Sequence, residues 1–314
     1  MIIRLTFLIC ILFISGCTKS YDIRPVSIPY NVYPLAENME THYLALNDFR
    51  ADTEKPLNVG TLTVELRHMG NEIDYLGESI ARVLNAERIN ILYDNEHQPS
   101  IKLNVLKFRI RNLRTSGFSP YHTFTTFSAD LINNGETKRI TAYFKNSKTP
   151  VWTFREVERP CYQIPIELVV KEIAAKLNHY IFKRVTPNEQ VRRLAATIDM
   201  DNADAASEQY LKVLELGYTN NPIATELLIP LINHKETIMR EAAISALGIL
   251  RAKEKFDLLK NIYETKEKID KTMALKSIGD LDTLEARAFI HNVKMSEEYA
   301  DDETIREVAD LYPY

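Results

Sequence analysis

The chain has 314 residues, 45% of them apolar and 26% charged, with a formal net charge of −4. That length suits two domains, and the composition is that of a folded protein rather than a disordered one. Neither a strongly basic nucleic-acid binder nor a membrane-spanning helix, which needs roughly 20 consecutive apolar residues, fits the sequence.

Arg4 precedes the apolar run Leu5 to Ile14, and small residues follow, as in a secretory signal. Ile14-Ser15-Gly16-Cys17, directly after that run, resembles the bacterial lipobox, whose cysteine is diacylated and becomes the first residue after cleavage. The resemblance implies a signal peptide over residues 1–16, a lipoprotein with palmitate-type acylation on Cys17, and membrane attachment through the N-terminal lipid. Two or more acyl chains are needed for durable anchoring. Thr18 is not the aspartate associated with inner-membrane retention, so the expected site is the outer membrane, facing the periplasm. The bland alternative is an ordinary secretory signal with an incidental cysteine. Cys10 leaves with the signal in either case. Cys161 is then alone and forms no intramolecular disulfide; without a neighbouring histidine it reads as a packing residue rather than a reactive thiol.

Residues 17–41 contain Pro25, Pro29 and Pro34 and lack periodicity. They read as a lipidated tether, which at about 3.1 Å per residue would reach up to roughly 70 Å. Tyr21, Tyr30 and Tyr33 give the competing reading, a peptide that docks on a partner.

Residues 42–185 alternate between strand and helix periods. Leu62, Val64 and Leu66 mark a half-buried strand; Ile73, Leu76, Ile80, Val83 and Leu84 mark one helix face; Ile89 to Tyr93 reads as a short buried strand. Along Ile101 to Leu113 the apolar parity switches between Val105 and Leu106, which a β-bulge there would reconcile. Lys107, Arg109 and Arg111 then line the opposite face. They read as a solvated row or as a site for an anionic lipid or glycolipid head group. Tyr121 to Leu131 and Arg139 to Phe144 follow as strands around the turn Asn133-Asn134-Gly135. A helix from Pro165 closes the module, with Ile166, Val169, Val170, Ile173, Leu177, Tyr180 and Ile181 on its apolar face. The expected fold of this part is α+β, a four- to five-stranded sheet backed by two helices. An anchoring cysteine followed by this order of elements resembles small outer-membrane lipoproteins of the YajG and LptE type, which implies an accessory role in an envelope machine.

Residues 186–314 carry an internal repeat. Leu216-Gly217, Leu247-Gly248 and Ile278-Gly279 recur at an interval of 31 residues, a period that points to a stacked solenoid of helix pairs. Arg240, Ala243, Ala246, Leu247 and Gly248 resemble the second helix of short HEAT-like repeats, with Lys271, Ser277 and Ile278 as departures in the next copy. The resemblance implies an all-α HEAT-like solenoid offering a long surface to a partner protein. Ser245 and Lys276 are the expected outward-facing residues, the small residues let paired helices approach closely, the glycine suits a helix C-terminus, and Arg240 and Lys271 read as bonds internal to the array. Charge changes at the same boundary: 22 Lys and Arg against 19 Asp and Glu over 17–185, but 16 against 24 over 186–314.

No His-Glu-x-x-His, Gly-x-Ser-x-Gly or phosphate-cradling loop occurs, and the acidic cluster from Glu297 to Glu303 lacks the spacing of a calcium loop. No metal, cofactor or catalytic group is expected. The leading expectation is a membrane-anchored lipoprotein that serves as an accessory or scaffold subunit, binding an envelope protein through its repeats. A lipid or lipopolysaccharide transport or assembly factor is the alternative. An enzyme is the third reading, since some short HEAT-repeat proteins are similar to bilin lyases.

Overall fold

Three 13-residue strands, β6 (Ile101–Leu113), β7 (Tyr121–Asn133) and β8 (Glu136–Lys148), form the antiparallel meander at the centre of the computed structural model, which describes residues 19–28, 40–96, 99–204 and 207–314. The signal peptide, Cys17 and residues 29–39 of the expected tether lie outside these residues. Asn134 and Gly135, both at positive φ, join β7 to β8 in the two-residue loop that such turns favour. The register of β6 against β7 slips between Val105 and Lys107. That is the expected bulge, and it lets Ile101, Leu103, Val105, Phe108 and Ile110 all bury on one side.

The sheet has six strands, more than expected. β2 (His42–Asp48) lies parallel between β5 (Ile91–Tyr93) and β6, and the short β3 (Asn58–Gly60) also pairs with β6. Leu44, Ala45 and Leu46 of β2 are consecutive and all buried. A strand covered on both faces shows no alternation, so it leaves no period-two signal.

The N-terminal segment also departs from the expected tether. β1 (Lys19–Asp22) pairs in parallel with β4 (Val64–Arg67), apart from the main sheet. Tyr21, Ile23 and Val26 are buried. The Tyr21 hydroxyl donates to the Phe154 carbonyl at 2.9 Å, and the Arg24 amide donates to Gln163 Oε1 at 2.8 Å. Residues 19–28 are therefore part of the folded body and not a tether. The strand expected over Leu62 to Leu66 forms at Val64–Arg67 and belongs to this separate pair.

Helix α1 (Glu72–Ala86) starts at Asn71, whose side chain accepts from the amides of Ile73 and Asp74, and it buries the expected face. Helix α2 (Ile164–Leu177) differs from expectation. Ile166, Val169, Val170, Ile173 and Leu177 are buried as read from the sequence, but so are Leu168, Glu172, Ala175 and Lys176. A helix buried on every side has neighbours on every side. One side of α2 meets α1 and β8; another meets the C-terminal helices.

Those helices are α3 (Asn188–Ala196), α4 (Gln209–Tyr218), α5 (Ile223–Leu228), α6 (Thr237–Ile249), α7 (Phe256–Thr265), α8 (Lys268–Leu281), α9 (Leu284–Lys294), α10 (Glu297–Asp301) and α11 (Glu303–Ala309). α4, α6 and α8 pack side by side in that order. A Cβ on Gly217 would lie 2.9 Å from Ala246 Cα, and one on Gly248 would lie 2.7 Å from Ser277 Cα. The repeated glycines thus serve the expected close helix approach, and they lie within their helices instead of capping them. A single hydrophobic core runs from Tyr21 to Tyr312 across both halves of the chain, so the fold is mixed α/β with a sheet and a helical region fused through α2.

Candidate functional site

Four charged side chains meet where the halves join. Glu172 and Lys176 come from α2, one helical turn apart; Lys276 and Asp280 come from α8 with the same spacing. Lys176 Nζ lies 2.7 Å from Glu172 Oε1 and 2.7 Å from Asp280 Oδ1. Lys276 Nζ lies 2.6 Å from Glu172 Oε1 and 2.9 Å from Asp280 Oδ2. Two cations and two anions alternate in a closed square. Thr141 of β8 donates to Asp280 at 2.7 Å, Tyr312 donates to the Lys276 carbonyl at 2.6 Å, and Lys276 donates to Ser245 at 3.1 Å.

All four charges are withdrawn from water. Burial alone would raise the carboxyl of Asp280, but the ammonium groups of Lys176 and Lys276 hold it down to about 2. Burial likewise opposes the charge on Lys176, and the carboxylates of Asp280 and Glu172 outweigh it, so its titration is raised. This arrangement is a neutral joint in which each charge faces two of the opposite sign, while Glu172 Oε2 is buried without a hydrogen-bond partner. It leaves no open face for a substrate.

Ser245 and Lys276, expected to face a partner, are 1% and 0% exposed. The correction has a plain cause: the second helices of the array turn toward α2 and β8, so their polar residues fill the joint. Arg240 and Lys271 bond inside the helical region, as read. Arg240 Nε donates to Asp270 at 2.8 Å, and Lys271 Nζ pairs with Glu298 at 2.5 Å.

The row Lys107, Arg109 and Arg111 does share one face of β6, opposite the core side chains. It is neither bare nor fully solvated. Glu54 lies 3.9 Å from Lys107 and 3.1 Å from Arg109, while Arg111 bonds Glu307 at 2.9 Å and stacks 4.3 Å from the centre of the Phe124 ring. Its cations are answered within the chain, two of them by the turn at Asp52–Glu54 and the third by α11. Cys161 is fully buried, and burial pushes its thiol up to about 12, which suits packing and not nucleophilic chemistry. Among the described residues no three His, Cys, Asp or Glu side chains cluster to hold a metal, and no helix is long and apolar enough to cross a membrane.

One sizeable cleft exists beside the joint. It has a volume of about 530 Å³ and lies between α1, the end of α2, α3 and α4, with Val83, Glu87, Lys171, Leu194 and Tyr218 in its walls. The Tyr218 hydroxyl is buried there without a hydrogen-bond partner. Burial raises the Glu87 carboxyl to about 7, against the lowering effect of Arg184. None of these residues was singled out from the sequence as a site. They are far apart along the chain, and only the fusion of the halves brings them together.

No family model matches the chain, and no curated protein matches it. Among solved structures it is similar to protein XCC0632 from Xanthomonas campestris, of the family model DUF330, at 16% identity over 52% of this chain and 99% of that one, with a TM-score of 0.34. A second similar structure, of an uncharacterized protein, gives 10% identity over 52% and 95% of the two chains, with a TM-score of 0.28. Neither likeness bears on what this chain does.

Proposed function

We propose that the protein is a lipid-anchored accessory subunit of a cell-envelope complex, held at the outer membrane through Cys17 and binding a partner protein through its C-terminal helices. The observation that carries this reading is the sequence Ile14-Ser15-Gly16-Cys17 directly after an apolar run. The 31-residue recurrence, together with the ordered packing of α4, α6 and α8, supports reading residues 186–314 as HEAT-like repeats. With Ser245 and Lys276 buried, contact with a partner falls to outward residues of the first helices. Leu284 and Met295, which begin and follow α9, are 85% and 74% exposed.

Replacing Cys17 with alanine tests the reading. Label from radioactive palmitate should disappear, and the protein should move from sedimented membranes to the soluble fraction. A Cys17→Ala protein that still sediments fully with membranes would reject it. Photo-crosslinkers at positions 284 and 295 should yield a discrete protein adduct in cells expressing the anchored form.

The cleft favours a second reading, carriage of a lipid. Its volume falls within the range of about 300–1,000 Å³ typical of small-molecule sites, and an unpartnered buried hydroxyl is a group a ligand would satisfy. Native mass spectrometry of protein released gently from membranes should then show a retained lipid, and Leu194→Trp should displace it. A bare mass in every preparation counts against carriage.

A further inference from the structure

Aromatic residues are most exposed at one end of the sheet. Phe118, in the loop from β6 to β7, is 100% exposed, and Trp152, just beyond β8, is 81% exposed. Tyr121 at the start of β7 pairs with Lys148 at the end of β8, so both loops leave from the same end. Phe154 ties this end to the N-terminus. Its ring lies 5.2 Å from Lys19 Nζ and 5.5 Å from the Arg114 guanidinium, and Arg114 in turn donates to the carbonyl of Gly117 beside Phe118.

Lys19 is two residues from Cys17. Lys19 is also the first residue of β1, so the segment that carries the anchor enters the fold there. With β1 folded into the body, a chain anchored at Cys17 enters the fold beside Phe154, at the end that carries Phe118 and Trp152. Lys19 and Arg114 lie against the Phe154 ring, Lys148 ends β8 opposite Tyr121, and Arg155, Glu156 and Glu158 follow Trp152 in the chain, with Glu156 accepting from the amide and hydroxyl of Thr153. The balance is cationic. Tryptophan favours the bilayer interface, and lysine or arginine beside it favours anionic head groups.

We infer that this tip is a membrane-docking face, with Phe118 and Trp152 seated in the interfacial layer of a bilayer that contains anionic phospholipid. The inference rests on the anchor reading above and deepens it. Lipid on Cys17 sets which end approaches the surface, and the two rings then fix the tilt of the body.

Trp152 is the chain's single tryptophan, so intrinsic fluorescence reports the tip alone. The full acylated protein is reconstituted into vesicles of phosphatidylethanolamine and phosphatidylglycerol, with and without acyl-brominated lipid as quencher. Docking predicts a blue shift of Trp152 emission and quenching by the brominated lipid, both reduced by Phe118→Asp and by omission of phosphatidylglycerol. A control moves the reporter, as Trp152→Phe with Leu284→Trp. Asp282 pairs with Lys138 at the far end of β8, about 30 Å along the strand, so this reporter should be neither shifted nor quenched.

Protein that floats with the vesicles while Trp152 emission stays as in water overturns the docking face and leaves the anchor intact. Failure to float removes the anchor and the docking face together. Equal quenching at position 284, or a blue shift without vesicles that grows with protein concentration, also overturns the inference, the latter in favour of self-association.

Discussion

The joint and the tip invert the usual distribution of residues in opposite directions. At the joint, two lysines, a glutamate and an aspartate are sealed between α2, α8 and β8. At the tip, a phenylalanine and a tryptophan stand in solvent. Burying a charge costs several kcal/mol unless a partner offsets it, and the joint meets that condition by placing each ammonium between two carboxylates. Exposed aromatics have no such internal answer. Charge inside has been satisfied by the fold, whereas apolar surface outside awaits something beyond the chain. The same contrast separates stability from function: the joint holds the halves in register, and the tip is free to change without loss of structure.

The largest effect should come from breaking the square. Lys276→Met leaves Glu172 and Asp280 with one cation between them, and the cost should be about 3–5 kcal/mol, as for other buried pairs that lose a partner. Chemical denaturation would measure it. Replacing all four residues by apolar ones of similar size should cost less than that single change, since no uncompensated charge remains. If the single and fourfold variants are equally stable, the square is not acting as a coupled unit.

Acid probes the same contact without mutation. The folded Asp280 titrates at about 2, below its ordinary value of 3.8. Its contribution is therefore complete above about pH 4 and fades as pH falls toward 2, a loss of about 2–3 kcal/mol. Melting temperatures across that window should fall more steeply for the native protein than for the fourfold variant. Next in size is Gly248→Ala. Alanine is the better helix former, but its Cβ meets the backbone of Ser277, and overpacking of this kind costs about 1–3 kcal/mol.

How far these features were legible follows from the same contrast. The bulge at Val105, the face of α1 and the 31-residue recurrence were readable because each is a periodicity, and periodicity is local. Glu172 with Lys176, and Lys276 with Asp280, also have a readable spacing, but four apart on a helix is the pattern of an ordinary exposed ion pair. Nothing in either pair tells that the two helices face each other. Three prolines in the N-terminal segment read as a tether, yet Tyr21, Ile23 and Val26 find a groove that only the folded body supplies. The cleft was illegible for the same reason, since Glu87 and Tyr218 lie on different helices more than a hundred residues apart.

Between joint and tip lies an intermediate case, the row on β6. Arg111 is about four-fifths withdrawn from solvent, paired with Glu307 and stacked on Phe124. Arg111→Ala should cost about 1 kcal/mol, near the upper end for exposed ion pairs and within the range of a cation–π contact. Lys107→Ala should cost less, because its partner Glu54 sits 3.9 Å away and keeps Arg109.

The smallest effect should be at the tip. A side chain that buries nothing in the folded state loses nothing when shortened, so Phe118→Ser should change stability in solution by no more than about 0.5 kcal/mol. Its effect should appear only when the acylated chain meets a membrane. A large loss of stability from Phe118→Ser would mean that the ring packs against the body and is unavailable to a bilayer, and the contrast between an answered interior and an unanswered surface would fail where it is sharpest. Unchanged denaturation together with weakened fluorescence quenching in vesicles would locate the role of the ring outside the fold.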